Sequence, residues 1–186
     1  MLNQLRIVGG RWRGRRIQFA DLPGLRPTKD AIRETLFNWL QADIVGARCV
    51  DLYAGSGALG IEALSRGAQY VDFIDTQPKV TQQIQQQLQQ LEADSSQYGC
   101  HQSQAVTQLK QCTAPYDIIF LDPPFDTPDY VQTLTLINKY TGLTRHGLVY
   151  IEMPVDLQAE FQGWQWLKHK QQGQVQYGLL KPEDIS

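Results

Sequence analysis

The tetrapeptide Asp122-Pro123-Pro124-Phe125 follows an apolar run at residues 116–121 and has the residue types to hold a planar amine. Two successive prolines fix the backbone and remove amide donors, so the Asp122 carboxylate and the Pro123 carbonyl become a pair of acceptors. Acceptors that hold both hydrogens of an exocyclic amine draw its lone pair out of conjugation and aim it at an electrophile. Phe125 offers a face on which a base can stack, worth about 1–3 kcal/mol. The pattern predicts methylation of a base amino group, with the base in a loop or flipped out of its stack.

A glycine-rich segment from Gly55 to Gly60 follows an earlier apolar run and predicts a nucleotide-binding turn at the start of a helix. Its GxGxxG spacing also fits dinucleotides, so the spacing alone does not identify the ligand. Asp51, four residues before the first glycine, would repel a pyrophosphate but attract the cationic amino-acid end of S-adenosylmethionine. Asp75 stands where an acidic residue can accept hydrogen bonds from ribose hydroxyls. Together these residues favour S-adenosylmethionine over NAD.

Strands and helices alternate from about residue 47, which predicts a parallel sheet with helices on both faces. The predicted strands are residues 47–53, 70–75, 98–101, 116–122 and 147–152, the predicted helices are residues 57–67 and 77–94, and a closing antiparallel hairpin covers 164–170 and 173–180. An earlier helix is expected to run from Thr28, as its cap, to about Leu40. Ligands of such sheets bind beyond the carboxyl ends of the strands, where the residues described above are expected.

The amino-terminal part of the chain differs in charge from the rest. Residues 5–10 and 14–19 predict two short strands around a glycine- and arginine-rich turn. The first 33 residues carry eight basic and two acidic side chains, a net charge of +6, whereas the remainder carries −8. A basic arm on an acidic body indicates that a polyanion docks at one end of the molecule.

The composition fits one globular domain with a small appendage. The chain has 186 residues, of which 42% are hydrophobic and 19% charged. No apolar run approaches the length that spans a bilayer, and the first residues lack the apolar segment of a signal peptide, so a cytoplasmic location is expected. Three cysteines without a CxxC pair, and three scattered histidines, predict neither a disulfide framework nor a metal site.

Several segments together resemble a known family. The glycine loop, the acidic end of YVDFID and LDPPF resemble class I methyltransferases that act on amino groups. RIVGGRWRGRRI, LRPTKDAIRETLFNWL and GQVQYGLL narrow the resemblance to the RsmD family, bacterial guanine-N2 methyltransferases of small-subunit (16S) ribosomal RNA. The resemblance covers nearly the whole chain. It implies a Rossmann-like α/β fold with a seven-stranded, mostly parallel sheet and an antiparallel last strand, residues 28–186, preceded by a basic hairpin extension, residues 1–27.

The resemblance also implies roles for individual positions. The implied cofactor is S-adenosyl-L-methionine, bound by Asp51, Tyr53, Gly55 and Gly57 at its methionine end, by Asp75 and Thr76 at its ribose, and by Gln104 and Ala105 near its adenine. The guanine would be held by Asp122, Pro123, Pro124 and Phe125. The RNA backbone would contact Arg11, Arg13, Arg15, Arg16, Arg26, Thr28 and Arg33.

Three other functions remain open from the residues. An adenine-N6 methyltransferase acting on DNA or RNA would use the same tetrapeptide, because any planar amine fits it. A NAD-dependent dehydrogenase would explain the glycine loop but gives no role to Asp122. A non-catalytic RNA-binding protein would use only the basic arm. The sequence does not identify the modified guanine, nor whether free RNA or a ribosomal particle is the substrate; a monomer is expected.

Overall fold

The computed structural model of the chain describes residues 2–20, 28–124, 130–140, 142–157 and 160–183. The strands are β1 Leu2–Arg6, β2 Arg16–Ala20, β3 Arg48–Asp51, β4 Tyr70–Asp75, β5 Tyr98–Gln102, β6 Tyr116–Leu121, β7 Leu143–Pro154, β8 Trp164–Gln172 and β9 Val175–Pro182. The helices are α1 Asp30–Trp39, α2 Ala58–Ser65, α3 Pro78–Gln90, α4 Ala105–Gln111 and α5 Tyr130–Lys139. Short 3₁₀ turns cover Gly10–Trp12 and Ser95–Gln97.

Seven strands form the main sheet in the order β5-β4-β3-β6-β7-β9-β8. Strands β3 to β7 are mutually parallel, whereas β9 runs antiparallel to both β7 and β8. The strand order reverses between β3 and β6, which are hydrogen-bonded neighbours although β4 and β5 separate them in the chain. The predicted class I arrangement, with its antiparallel last strand and closing hairpin, is confirmed.

Helices cover both faces of the sheet. Helices α1, α2 and α3 share one apolar core with one face, and α4 and α5 share a second core with the other. The stripe of Val80, Ile84 and Leu88 is buried on α3 as its spacing predicts. Sequence reasoning did not single out α4 or α5. Helix α4 has only seven residues and buries just Ala105 and Leu109, too few for a clear period.

The amino-terminal hairpin packs against the first of these cores. Strands β1 and β2 pair antiparallel, as predicted, and Trp12 in the turn between them is buried. The turn approaches the end of α2 so closely that a Cβ on Gly10, whose φ is +75°, would lie 1.9 Å from the carbonyl oxygen of Ser65. The Ser65 hydroxyl accepts the Trp12 amide at 3.0 Å and donates to the Gly9 carbonyl at 2.6 Å. Because the hairpin and the sheet share a core, the boundary at residue 27 stays a prediction.

One detail of α1 differs from the prediction. The helix begins at Asp30 with Lys29 as its N-cap, and no side chain caps it. The hydroxyl of Thr28, predicted to be the cap, donates instead to a carboxylate oxygen of Asp122, 94 residues away, at 3.2 Å. A competing tertiary acceptor therefore decides where this hydroxyl points.

Candidate active site

Four carboxylates gather at the carboxyl-terminal edge of the main sheet. Asp51 and Asp75 end β3 and β4, Asp122 directly follows β6, and Glu152 lies near the end of β7. This edge includes the point of strand reversal between β3 and β6, where open α/β sheets bind their ligands. Sequence reasoning identified the first three carboxylates and missed Glu152. The only signal for it was an acidic residue ending the apolar run GLVYIE.

Asp51 holds the glycine loop from inside. Its side chain is buried, and its Oδ2 accepts the backbone N–H of Gly60 in α2 at 3.2 Å. Burial raises the pKa of Asp51 to about 7; the Gly60 bond opposes this shift, and the negative charge of Asp75 adds to it. Among the described residues, no ion pair balances the charge of Asp51.

The loop itself is shaped by glycines and by Asp75. Gly55 and Gly57 have φ values of +49° and +76°, which glycine adopts without strain. Asp75 is half-buried, and its two carboxylate oxygens accept the N–H groups of Gly55, at 3.1 Å, and Gln77, at 2.9 Å. Each oxygen retains a lone pair for a further donor. Two carboxylates at this loop suit an ammonium group and a ribose diol, and they would repel a pyrophosphate.

The other predicted cofactor residues lie at the same edge. Tyr53 follows β3 and is half-buried, and Thr76 follows β4 and is exposed. Gln104, also exposed, is the N-cap of α4, and Ala105 is the buried first residue of that helix. A backbone hydrogen bond connects the segment after β5 to Asp75, since the Ser103 amide donates to the Asp75 carbonyl at 3.0 Å. The described geometry thus brings all the predicted cofactor positions to the ends of β3, β4 and β5.

Asp122 stands beside the strand reversal, with its side chain partly exposed. Burial raises its pKa well above the usual value for aspartate; the negative charges of Glu152 and Asp51 add to this, and the Thr28 hydroxyl bond opposes it. Pro123 is buried and Pro124 is exposed, as expected of a rigid turn that leaves the strand. Phe125, the predicted stacking residue, lies outside the described residues.

Glu152 is the neighbouring carboxylate on β7, and it is 7% exposed. Its Oε2 accepts the hydroxyl of Tyr150 at 2.7 Å, and its backbone carbonyl accepts the hydroxyl of Tyr130 at 3.1 Å. Burial raises the pKa of Glu152, whereas the Tyr150 bond and the positive charge of Lys29 act in the opposite direction.

The predicted RNA-binding residues fall into two groups. Arg33 is fully buried; its guanidinium donates to the carbonyls of Thr28, at 3.1 Å, and Arg6, at 2.6 Å, and pairs with Asp30 at 2.9 Å. The side chain of Thr28 is also buried. The prediction that Arg33 and Thr28 contact RNA does not fit these positions, because both side chains are used inside the protein. Arg26 lies outside the described residues.

The remaining predicted arginines, Arg11, Arg13, Arg15 and Arg16, are exposed. Arg11 donates to Gln97, just before β5, and stacks on Trp12, with 4.1 Å between its guanidinium carbon and the ring centroid. Arg15 donates to the carbonyl of Gln90, where α3 ends, at 2.6 Å. Because α3 ends and β5 begins at the amino-terminal edge of the sheet, Arg11 and Arg15 lie at the edge opposite Asp122.

Within the described ranges, no group of three or more His, Cys, Asp or Glu side chains is arranged to hold a metal ion. Among the same residues, no helix combines the length and the apolar character that a bilayer crossing requires.

Comparison with known proteins gives consistent matches along the chain. A family model described as "Conserved hypothetical protein 95" matches residues 5–181. The protein named ribosomal RNA small subunit methyltransferase D from Escherichia coli (strain K12) is 42% identical over 97% of this chain and 91% of its own length. The protein of the same name from Haemophilus influenzae is 38% identical over 96% and 94%, respectively. The solved structure of yhhF from Escherichia coli, 41% identical, superposes with a TM-score of 0.85 over 97% of this chain and 99% of that one.

Proposed function

Because this chain belongs to the RsmD family, whose members in the comparison are named ribosomal RNA small subunit methyltransferase D, we propose that it methylates a guanine of small-subunit ribosomal RNA. The methyl group would come from S-adenosylmethionine and would be transferred to the exocyclic N2 amine. The observation that carries this proposal is the position of Asp122. Its carboxylate stands at the strand reversal and within electrostatic reach of Asp51, the residue that anchors the glycine loop.

The donor set at the loop fits S-adenosylmethionine better than a dinucleotide. When bound, S-adenosylmethionine supplies an electrophilic methyl group on a sulfonium. Asp51, Tyr53, Gly55 and Gly57 would hold its amino-acid end, since a carboxylate attracts an ammonium group. Asp75 and Thr76 would bind the ribose hydroxyls, and Gln104 and Ala105 would border the adenine. Hydrogen bonds from the Gly55 and Gly60 amides hold the carboxylates of Asp75 and Asp51, respectively, in place before any ligand binds.

Asp122 and the carbonyl of Pro123 would accept the two hydrogens of the target amine. Their rigid spacing orients the nitrogen lone pair toward the methyl donor, and such orientation supplies a large part of the rate enhancement in group transfer. The hydrogen bond from Thr28 restricts the rotation of the Asp122 carboxylate. Phe125 would stack on the base. A base in a duplex cannot reach these groups, so the guanine must be unpaired or flipped.

The basic hairpin is proposed to bind RNA phosphates, through Arg11, Arg13, Arg15 and Arg16. Arg11 and Arg15 contact the amino-terminal edge, a sheet's height away from Asp122, roughly 15–20 Å for strands of five to six residues. An RNA that reaches both edges must therefore be long or folded. This requirement supports a small ribosomal subunit, or an assembly intermediate, as the substrate. A monomer in the cytoplasm is the form proposed to act.

A methyl-transfer assay tests this function directly. The protein is incubated with tritiated S-adenosylmethionine and small subunits from cells that lack the modification, and the labelled nucleotide is mapped by mass spectrometry. We expect label on the N2 of one guanine, and at least about 100-fold slower labelling when Asp122→Ala replaces the wild type. Label on adenine N6 would replace guanine as the target. Absence of label, together with binding of NADH, would overturn the proposal.

A further inference from the structure

The catalytic carboxylate has a second carboxylate beside it, and the sheet register defines how close they are. Strands β6 and β7 are parallel, with Phe120 opposite Tyr150 and Leu121 opposite Ile151. The next pair in the same register is Asp122 and Glu152. Neighbouring strands lie about 4.8 Å apart, and opposite residues of a parallel pair project from the same face. Glu152 therefore projects next to Asp122, on the face that also carries Phe120 and Tyr150.

Glu152 cannot move away from this position without breaking hydrogen bonds. The hydroxyl of Tyr150 holds its Oε2 at 2.7 Å, and the hydroxyl of Tyr130 holds its backbone carbonyl at 3.1 Å. The side chain is 7% exposed, so little water solvates its charge. Among the described residues, no ion pair joins Glu152 or Asp122 to a cation. Buried carboxylates without a cation are costly, which calls for a use other than stability.

We propose that Glu152 is a positioning residue that makes Asp122 the acceptor of the proton released by the amine during methyl transfer. This inference rests on the proposed function of the site. When it is ionised, Glu152 repels the Asp122 carboxylate and turns it toward the Thr28 hydroxyl and the ligand side. It also makes protonation of Asp122 more favourable, because a shared proton relieves the repulsion of two close carboxylates.

Atoms and electrons balance in this transfer. The amine nitrogen uses its lone pair to form the bond to the methyl carbon, and the pair of the former carbon–sulfur bond stays on sulfur as a neutral thioether. Asp122 takes one N–H proton, and the electron pair of that bond returns to nitrogen as its neutral lone pair. The proton on Asp122 then passes to water when the product leaves.

The main electrostatic influences on Asp122 all raise its pKa. Burial raises the pKa of Asp122, and the charges of Glu152 and Asp51 raise it further, against the smaller effect of Thr28. A base is most effective when its pKa approaches the working pH, which a normal aspartate does not. The other ionisable groups that interact with the pair are Lys29, Tyr130 and Tyr150. Tyr177 lies opposite Glu152 on β9, and Tyr53 interacts with Tyr130.

The pH dependence follows from these signs. Asp122 must be ionised to accept a proton, so methyl transfer rises with pH through its pKa. Glu152→Gln removes a neighbouring negative charge and lowers the pKa of Asp122. The acidic limb of the pH–rate profile therefore moves to lower pH by about one unit. The plateau rate also falls, because the acceptor is a weaker base. Glu152→Asp keeps the charge, and we expect its limb to stay close to that of the wild type.

The test combines kinetics with a direct titration. Single-turnover methyl transfer is measured from pH 5 to pH 9 for the wild type, Glu152→Gln, Glu152→Asp and the exposed control Glu160→Gln. In parallel, the protein labelled with ¹³C at aspartate carboxyl groups is titrated by NMR without cofactor, with the Asp122 signal assigned by Asp122→Asn. We expect the titration midpoint of Asp122 and the acidic limb of the pH–rate profile to shift together to lower pH, and only in Glu152→Gln.

Failure of this inference differs from failure of the proposed function. If the wild type labels ribosomal RNA, but Glu152→Gln changes neither the limb nor the Asp122 midpoint, Glu152 has only a structural role. If the wild type labels no RNA, the proposed function fails, and the NMR titration still decides whether Glu152 acts on Asp122. Should Glu152→Gln not fold, Tyr150→Phe replaces it: removing this donor raises the pKa of Glu152, so a smaller downward shift of the Asp122 midpoint is expected. An unchanged midpoint would then overturn the inference.

Discussion

The two edges of the main sheet bury carboxylates in opposite ways. Toward the amino-terminal edge, Glu62 accepts the Arg66 side chain at 2.8 Å and the Val8 amide at 2.9 Å. Asp72, near the start of β4, pairs with Arg48 at 3.1 Å and with His101 at 2.7 Å. At the carboxyl-terminal edge, Asp51, Asp122 and Glu152 receive hydroxyl or amide donors, and no cation pairs with them in the described parts of the chain.

Under the proposed function, this difference separates carboxylates that hold the fold from carboxylates that take part in the reaction. In a buried ion pair with complete hydrogen bonds, the attraction to the cation offsets the desolvation of the carboxylate, although the pair adds little net stability. One without a cation has a raised pKa, as Asp51, Asp122 and Glu152 do, and it can exchange protons or bind a cationic ligand. Substitutions at the two edges should therefore affect different properties of the protein.

The largest effect is expected at the carboxyl-terminal edge. Asp122→Ala removes the acceptor for the amine, and we expect methyl transfer to fall by about 10²–10⁴-fold, the contribution typical of a positioned base. Binding of S-adenosylmethionine, measured by calorimetry, should change little, because Asp122 lies away from the ribose side. Asp156→Ala, at an exposed position just after β7, is the control. Near wild-type turnover in Asp122→Ala would refute the assignment.

The opposite pattern is expected for the amino-terminal edge. Glu62→Ala leaves Arg66 and the Val8 amide without their acceptor, and breaking such a buried pair costs about 3–5 kcal/mol of unfolding free energy. Urea denaturation measures this decrease, with the exposed Glu34→Ala as the control, expected within about 0.5 kcal/mol of the wild type. Methyl transfer per folded molecule should stay unchanged. A variant that becomes inactive while remaining fully folded would contradict the division between the edges.

The hydroxyl that links α1 to the site should show an intermediate effect. Thr28→Val keeps the shape but removes the donor to Asp122, and a bond to a charged group contributes about 1.5–3 kcal/mol. We expect kcat to fall about tenfold, and the free energy of unfolding to fall by no more than the contribution of this bond. Thr35→Val, in α1 itself and bonded to the Ala31 carbonyl, should leave the rate unchanged. Equal rates in the two variants would mean that Thr28 does not orient Asp122.

The smallest effect is expected for the exposed arginines. Replacing Arg11, Arg13 and Arg15 by glutamine should weaken RNA affinity and flatten its dependence on salt, by up to about 0.7–0.9 in log–log slope for each phosphate that is no longer neutralised. Filter binding between low and moderate salt measures the slope. Arg145→Gln, near the start of β7 at the same edge, is the matched control. An unchanged slope in the triple variant would remove the hairpin as the docking surface.

The features that depend on local pattern could be predicted from the sequence. The buried strands were recognisable as apolar runs, and the rule that their carboxyl ends converge brought Asp51, Asp75 and Asp122 to one edge. Glu152 was missed because its proximity to Asp122 depends on the register between β6 and β7, which the residues alone do not specify. The hydrogen bond between Thr28 and Asp122 spans 94 residues and has no local signature.

Burial of a charged residue was also beyond sequence reasoning. Arg33 belongs to a basic segment and was expected to face a polyanion. In the structure two backbone carbonyls and Asp30 accept hydrogen bonds from its two terminal guanidinium nitrogens in the interior, and its Nε has no partner among the described residues. Such carbonyls are present in every sequence, and only the packed fold decides which of them a side chain meets.

The interior position of Arg33 has a consequence for protein engineering. Its guanidinium connects the end of β1, through the Arg6 carbonyl, with the residue that contacts Asp122, through the Thr28 carbonyl. Deleting the first twenty residues would strip an acceptor from a buried cation and uncover the apolar surface that Ile7, Trp12 and Ile17 cover. The hairpin is therefore an integral part of the folded domain and cannot be removed by itself. A shortened protein would need a redesigned surface and a replacement for Arg33.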